Sequence, residues 1–315
     1  MTAVLSEQSV EADLQLAYRV LRVRIGQLLV NERLKDRAFK VGVHMALGHE
    51  AVAVAVAGVM EPGDALCLTH RNLHYHLAHP HALRGAMDEF SLLPSGVGGG
   101  WLGSMNMANP AAGIVYTSSI LGNDLAVGAG IALADRLRGQ ASMTTVVTGD
   151  GAMEEGAFYE TLLFAKSLEL SCLILVENNG WSLATHISER RCPVQLDRLA
   201  QAFAMPYVCL EGNDVHDYFT RMQAVRAQAV QQRTPVLVEA RLATLGDWRA
   251  KTPEFPDGKF INYHHGAANT VTLQDWPVIR QDGSDPVFVL GQRWDEERLR
   301  ALAVQVRGEL EAEIQ

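Results

Sequence analysis

Between Thr144 and Leu242 the chain alternates short apolar runs with longer helical segments, and this rhythm constrains the fold more than any other feature. Thr144 to Thr148 is a β-rich run followed by Gly149-Asp150-Gly151, and a helical segment covers about Glu155 to Leu168. Cys172 to Val176 is a buried-type apolar run that ends in Glu177-Asn178-Asn179-Gly180. Tyr207 to Leu210, a helix over about Val215 to Gln232, and Val236 to Leu242 continue the pattern. Strand, helix, strand in repetition means crossover connections, hence parallel strands with helices on both faces. The expected fold class is α/β.

The flanks add helices to this centre. Leu14, Ala17, Tyr18, Leu21, Ile25, Leu28 and Leu29 recur at helical spacing. A second helix over about Glu50 to Val59 is closed by the turn signal Pro62-Gly63-Asp64. Pro94 to Pro110 is rich in Gly, Asn and Met without periodicity and reads as a long ordered loop, a kind that is usually functional. Residues 246–285 break the rhythm and read as a surface excursion; Asp295 then opens a last amphipathic helix. No repeat or linker is visible, so the expectation is a single domain over 1–315.

Composition narrows the class. With 48% hydrophobic residues and a formal charge of −9, the chain has an ordinary globular balance and lacks the basic excess of a nucleic-acid surface. Its longest apolar run, Ala51 to Met60, is too short for a bilayer, which needs about 20 residues. The four cysteines show no paired spacing and no secretory leader is visible, so the expected setting is a reducing cytoplasm.

In open parallel sheets, ligands gather at the carboxyl ends of the strands. Gly149-Asp150-Gly151 and Asn178-Asn179 end two strands there, 29 residues separating Asp150 from Asn179. Glycines allow close backbone approach to a diphosphate, and a carboxylate with an amide oxygen suits Mg²⁺, which takes one or two protein oxygens plus phosphate and water. Either triplet alone is more often a plain turn; the strand–helix–strand unit joining them makes the pair specific.

The stretch Gly149-Asp150-Gly151-Ala152, Gly156-Ala157-Phe158-Tyr159-Glu160 and Glu177-Asn178-Asn179 resembles the thiamine-diphosphate motif of 2-oxo-acid dehydrogenase alpha subunits, the pyruvate, branched-chain and acetoin enzymes. The likeness spans about Leu14 to Leu242 and includes His44 to Val52, Leu68 to Asn72, Gly103 to Met107 and Ile120 to Gly122. It implies a thiamine-diphosphate-binding fold. It also implies Mg²⁺ on Asp150, the Asn179 side chain and the Trp181 carbonyl, with Gly149, Gly151 and Ala152 at the diphosphate. Arg71 and His70 stand where the family touches the cofactor, Leu121 would lie under it, and Ser119 would lend a carbonyl to its aminopyrimidine. The resemblance further implies decarboxylation of a 2-oxo acid and a beta-type partner in a heterotetramer, which supplies the activating glutamate. A lipoyl acyltransferase component is a further candidate partner.

Several positions depart from the family. His70 replaces a Tyr, Asn106 a His and His49 a Gln, while Leu245-Gly246-Asp247-Trp248 stands where Gly-His-Ser is expected. His264 or His265 is the candidate substitute on the longer loop, and His44 aligns with a histidine facing the substrate; these three are the catalytic candidates, histidine being the side chain that changes charge near neutrality. His70, His74, His76 and His79 have spacings too irregular to argue for zinc. Two other readings compete: a split transketolase-like subunit that transfers a ketol unit, and a non-catalytic subunit that only binds a partner.

Overall fold

The strand Cys172–Asn178 shows how the chain builds its centre. Leu173 and Leu175 enter one apolar cluster while Cys172, Ile174 and Val176 enter another, all fully buried. Successive side chains of a strand point to opposite faces, so a strand apolar at every position must be covered on both. The structure, a computed structural model, describes residues 7–315, with side chains from residue 13 onward except 249, 250, 252 and 260. Residues 1–6, part of the stretch read for a leader, lie outside the description.

Six parallel strands form the sheet: β1 (Ala65–Thr69), β2 (Ile114–Ser118), β3 (Thr144–Gly149), β4 (Cys172–Asn178), β7 (Tyr207–Leu210) and β8 (Val236–Arg241). A short hairpin, β5 (Trp181–Ser182) with β6 (Thr185–His186), follows β4. The sheet order is β2-β1-β3-β4-β8-β7. One face carries α1 (Glu7–Lys35), α2 (Glu50–Val59), α3 (Leu73–Leu77), α4 (Leu83–Phe90) and α9 (Val215–Gln232), with α10 (Pro286–Arg293) and α11 (Glu296–Glu313) packed outside on α1. The other carries α5 (Asn123–Leu137), α6 (Gly156–Ser167) and α8 (Leu196–Ala202); the single turn α7 (Ile187–Arg190) follows the hairpin. The α/β class and the parallel sheet with helices on both faces stand as read from the sequence.

The chain leaves β1 toward β2 on one side and places β3 on the other. Loops after β1 and β3 therefore diverge and open a crevice at the strand ends, the switch point at which ligands bind. Gly48 lets the segment before α2 press against this end of the sheet. Its φ is +97°, and a Cβ there would lie 2.1 Å from the Ala243 carbonyl oxygen.

The expected surface excursion is corrected in part. Residues 247–262 do project, as the hairpin β9 (Asp247–Thr252) and β10 (Phe255–Asn262). Beyond it the chain returns and buries Tyr263, Ala268 and Val271 against α1. Asn31 of α1 donates to the carbonyls of Ala268 and Val271 and accepts the Ala268 amide, so this irregular backbone is satisfied by one side chain. Arg24, fully buried, binds Glu50 at 2.6 Å and Asp285 at 2.9 Å and donates to the Pro277 carbonyl, which ties α1, α2 and the start of α10 together.

The loop Pro94 to Pro110 is ordered by one carboxylate. Glu89, at the end of α4, accepts the amides of Gly98, Gly100, Leu102 and Gly103 at 2.7–3.0 Å. Burial raises its carboxyl, but these four amides pull it below the ordinary value overall.

Candidate active site

A cleft with about 670 Å³ of open space lies at the carboxyl ends of β1, β3 and β4. Asp150, the first residue past β3, is 1% exposed on its floor. Its carboxylate accepts from Arg190 of α7 at 2.6 Å, and the same guanidinium reaches Glu154. Burial raises the Asp150 carboxyl and Arg190 only partly offsets it. A guanidinium thus supplies the positive charge that this carboxylate needs. Gly151 beside it has no room for a side chain: a Cβ would meet the Ser182 hydroxyl at 2.7 Å.

Asn179 stands at the end of the neighbouring strand, where β3 and β4 pair Gly149 with Glu177. Its Oδ1 accepts the Trp181 amide at 2.9 Å and its Nδ2 donates to Thr244 Oγ1 at 3.0 Å. Thr244 Oγ1 also lies 2.9 Å from His49 Nε2, and His49 Nδ1 lies 3.2 Å from Glu177. Glu177 further accepts from the Tyr75 hydroxyl at 2.9 Å and meets His74 Nε2 at 3.1 Å. Burial alone would raise this carboxyl, but His49 and His74 hold it well below the carboxylate range. An ionised Glu177 only accepts, so Nδ1 of His49 donates to it. The Thr244 hydroxyl accepts from Asn179 Nδ2, and with the Trp181 amide on Oδ1 this bond orients the Asn179 amide.

Above this layer four imidazoles gather. His44 lies with its ring centroid 4.8 Å from His70, 5.0 Å from His264 and 5.6 Å from His265, and Trp248 packs 5.3 Å from His265. Burial, then the Arg71 charge, lowers His44 to about 2, and lowers His70 and His264 to about 4. All three are neutral at pH 7. Arg71 spends its guanidinium on the carbonyls of Met45 and His264, stacks over Tyr263 at 5.9 Å, and makes no ion pair among the described residues.

The structure brings most of the sequence candidates to one cleft. Gly149, Asp150, Gly151, Ala152, Asn179, Trp181, His70, Arg71, Leu121 and His264 all line it. Leu121 is half-exposed there. Ser119 lies just off the wall, where its neighbour Ser118 stands, and its amide is held by Asn106. His44 and His265 pack behind His264 instead of forming the wall. His74 and His76 turn inward, to Glu177 and to the Met107 carbonyl.

Three contributors escaped sequence reading. Glu177 ends an otherwise apolar strand, a charge that a buried strand carries only with partners, and that signal was available. Thr244 and Arg190 carry none, because their roles depend on chain crossings.

The family model described as dehydrogenase E1 component matches residues 27–243. The alpha subunit of acetoin:2,6-dichlorophenolindophenol oxidoreductase from Bacillus subtilis is 29% identical over 230 residues, covering 73% of this chain and 69% of that one. The pyruvate dehydrogenase E1 component subunit alpha of Rhizobium meliloti is 27% identical, covering 75% and 68%. Among solved structures, a transketolase variant from Pichia stipitis superposes with a TM-score of 0.57 at 15% identity. It covers 96% of this chain, which spans 46% of that one, and at this identity the likeness is one of fold alone. The chain belongs to the dehydrogenase E1 component family, and alpha subunits of 2-oxo-acid and acetoin dehydrogenases are its relatives.

Proposed function

We propose that this chain is the alpha-type subunit of a thiamine-diphosphate- and Mg²⁺-dependent enzyme that decarboxylates a 2-oxo acid or cleaves a related ketone. The observation that carries the reading is the placement of Asp150 and Asn179 on adjacent strand ends at the sheet's switch point. The donor set fits the group. A buried carboxylate and an amide oxygen are hard ligands of the kind Mg²⁺ takes, with phosphate and water completing the shell. Gly151 leaves main chain alone where a Cβ would strike Ser182, and Arg71, with no ion pair among the described residues, lines the same cleft as a phosphate partner. Bound thiamine diphosphate would supply the carbanion chemistry that a protein side chain lacks.

In this reading Asp150 releases Arg190 to take the metal, and the relay through Thr244 presents Asn179 Oδ1. Trp181 is the third ligand through its main-chain carbonyl. Leu121 supports the cofactor from the cleft wall, and Ser119 lends a carbonyl just beyond it. His264 takes the place of the missing loop histidine, reaching the cleft from the far end of β10 with His44 and His70 behind and beside it. Each neutral imidazole can donate one proton-bearing nitrogen to substrate and accept at the other.

Among the described residues the carboxylates that line the cleft are Asp150, held by Arg190, and Glu177, held by His49, His74 and Tyr75. Neither is free to activate an aminopyrimidine, which supports a beta-type partner that brings the glutamate. Ile120, Leu121 and Leu183 stand exposed on the rim, where such a partner would cover them. A heterotetramer follows from two such pairs. We also propose a reducing cytoplasmic setting, supported by four unpaired cysteines.

The test is calorimetry with Mg²⁺ and thiamine diphosphate. Wild type binds the cofactor only with the metal present, and Asp150→Ala abolishes binding while circular dichroism stays native. Unchanged affinity in the folded variant would sink the assignment.

A further inference from the structure

We propose that His44, His264 and His265 form a three-histidine site for a borderline transition-metal ion, of which Zn²⁺ is the natural probe, distinct from the Mg²⁺ position at Asp150. The site does not involve Asp150 or Asn179, but it shares His264 with the thiamine reading, and an ion bound here would occupy one nitrogen of that ring. Each of the three rings offers a ligand nitrogen, and the three nitrogens lie within 4.8 Å of one another.

The spacing of the rings carries the argument. Zn–N bonds of about 2.0–2.1 Å put each imidazole centroid about 3.2 Å from the ion, so a tetrahedral site separates the centroids by about 5.2 Å. The observed separations are 5.0, 5.6 and 5.4 Å. Two of the three pairs are close to perpendicular, at 84° and 80°, so the rings surround a point instead of stacking. Small rotations about the side-chain torsions would bring the nitrogens from within 4.8 Å to the roughly 3.3 Å of a tetrahedral set.

The donors are also preset by the backbone. The Gly266 amide donates to the Val43 carbonyl at 2.8 Å, and the Tyr263 hydroxyl donates to the Gly266 carbonyl and accepts from the Met45 amide. These bonds clamp the two chain segments that carry the histidines before any ion arrives. His44 Nδ1 is buried and has no partner among the described residues, an unmet polar atom of the kind a ligand satisfies.

Arg71 stands close to His264, and its charge opposes a bare dication. The same charge favours an anion at the fourth position. The expected complex is therefore three imidazoles plus one exogenous anion such as hydroxide, chloride or a carboxylate. Its consequence for the fold is a clasp: the ion would fasten the chain leaving β10 onto the segment before α2, at the rim of the cleft that His264 lines.

The experiment uses the full chain, stripped with a chelator and titrated with Co²⁺ as the spectroscopic stand-in for Zn²⁺. One cobalt per chain is expected, with the intense visible absorption of a four-coordinate ion, displaced by Zn²⁺ and shifted by added chloride or acetate. His265→Ala, at an exposed position whose loss leaves the core intact, and His44→Gln should each lower affinity at least about ten-fold. Asp150→Asn should leave cobalt binding unchanged, even if it abolishes Mg²⁺-dependent thiamine binding. Weak six-coordinate absorption, or equal affinity in wild type and both histidine variants, would overturn the site.

Discussion

The residue that does most for the candidate cofactor site touches none of the expected ligands' metal side. Thr244 sits between His49 and Asn179 and, together with the Trp181 amide on Oδ1, orients the Asn179 amide. Asparagine presents an oxygen or an NH₂ group depending on a flip that costs little by itself, and only the oxygen can hold Mg²⁺. Thr244→Val removes both relay bonds while keeping the shape, whereas Thr244→Ser keeps them. The valine variant should lose about 10- to 100-fold in Mg²⁺-dependent thiamine diphosphate affinity, the usual cost of a lost outer-shell partner, and serine should restore it. Calorimetric titration measures both, and thermal unfolding checks that the two variants are equally stable. Equal affinity in Val and Ser would show that the amide orients without the relay. At this scale the sequence was informative where a residue's place in the cleft follows from its strand position, as with Asp150 and Asn179. It was silent where the role depends on a side chain arriving from another crossing, as with Thr244 and Arg190.

Elements were legible in proportion to their periodicity. The long helices α1, α9 and α11 and the apolar strands β3, β4 and β8 follow from alternation and spacing alone. The short helices α3 and α4 and the strand β2 do not, since segments of five and eight residues hold too few positions to show a period. The stretch after β10 was misread for a different reason. Its Pro, Gly and Asn content signals irregular backbone, which usually lies on the surface, but Asn31 and Arg24 satisfy that backbone inside the molecule. Arg24 is consequently the element-level weak point. Arg24→Ala would leave Glu50 and Asp285 as unpaired buried charges at the meeting of α1, α2 and α10. The expected loss is about 3–5 kcal/mol, read as a lower urea midpoint at unchanged slope. A midpoint shift equivalent to less than about 1 kcal/mol would mean that the carboxylates find other partners or water.

The whole molecule has an acid-side weakness that follows from summing its buried histidines. His44 is lowered to about 2, and His70, His76 and His264 to about 4, in each case first by burial. Free histidine titrates near 6.5, so below that pH the unfolded chain takes up protons that the folded chain refuses. The stability these groups contribute is present above about 6.5 and is lost as the pH falls toward 4. A fully buried ring such as His76 changes stability by up to about 1.4 kcal/mol per pH unit; His264, much more open to water, changes it by less. Glu177, held below its ordinary value, adds a loss of the same sign further down. Asp124 acts in the opposite sense: burial raises it to about 7, so the folded chain binds its proton first and gains stability on acidification from 7 toward 4. Asp150, also raised by burial, acts in the same sense as Asp124, and two carboxyls against four imidazoles leave the net slope acid-labile. Thermal unfolding followed by circular dichroism should therefore show a midpoint nearly flat from pH 8 to 7 and falling steeply below about 6. His76→Gln, which can keep a donor toward the Met107 carbonyl, should make that fall shallower. A midpoint that stays level down to pH 5 would mean these histidines reach water more freely than their burial implies.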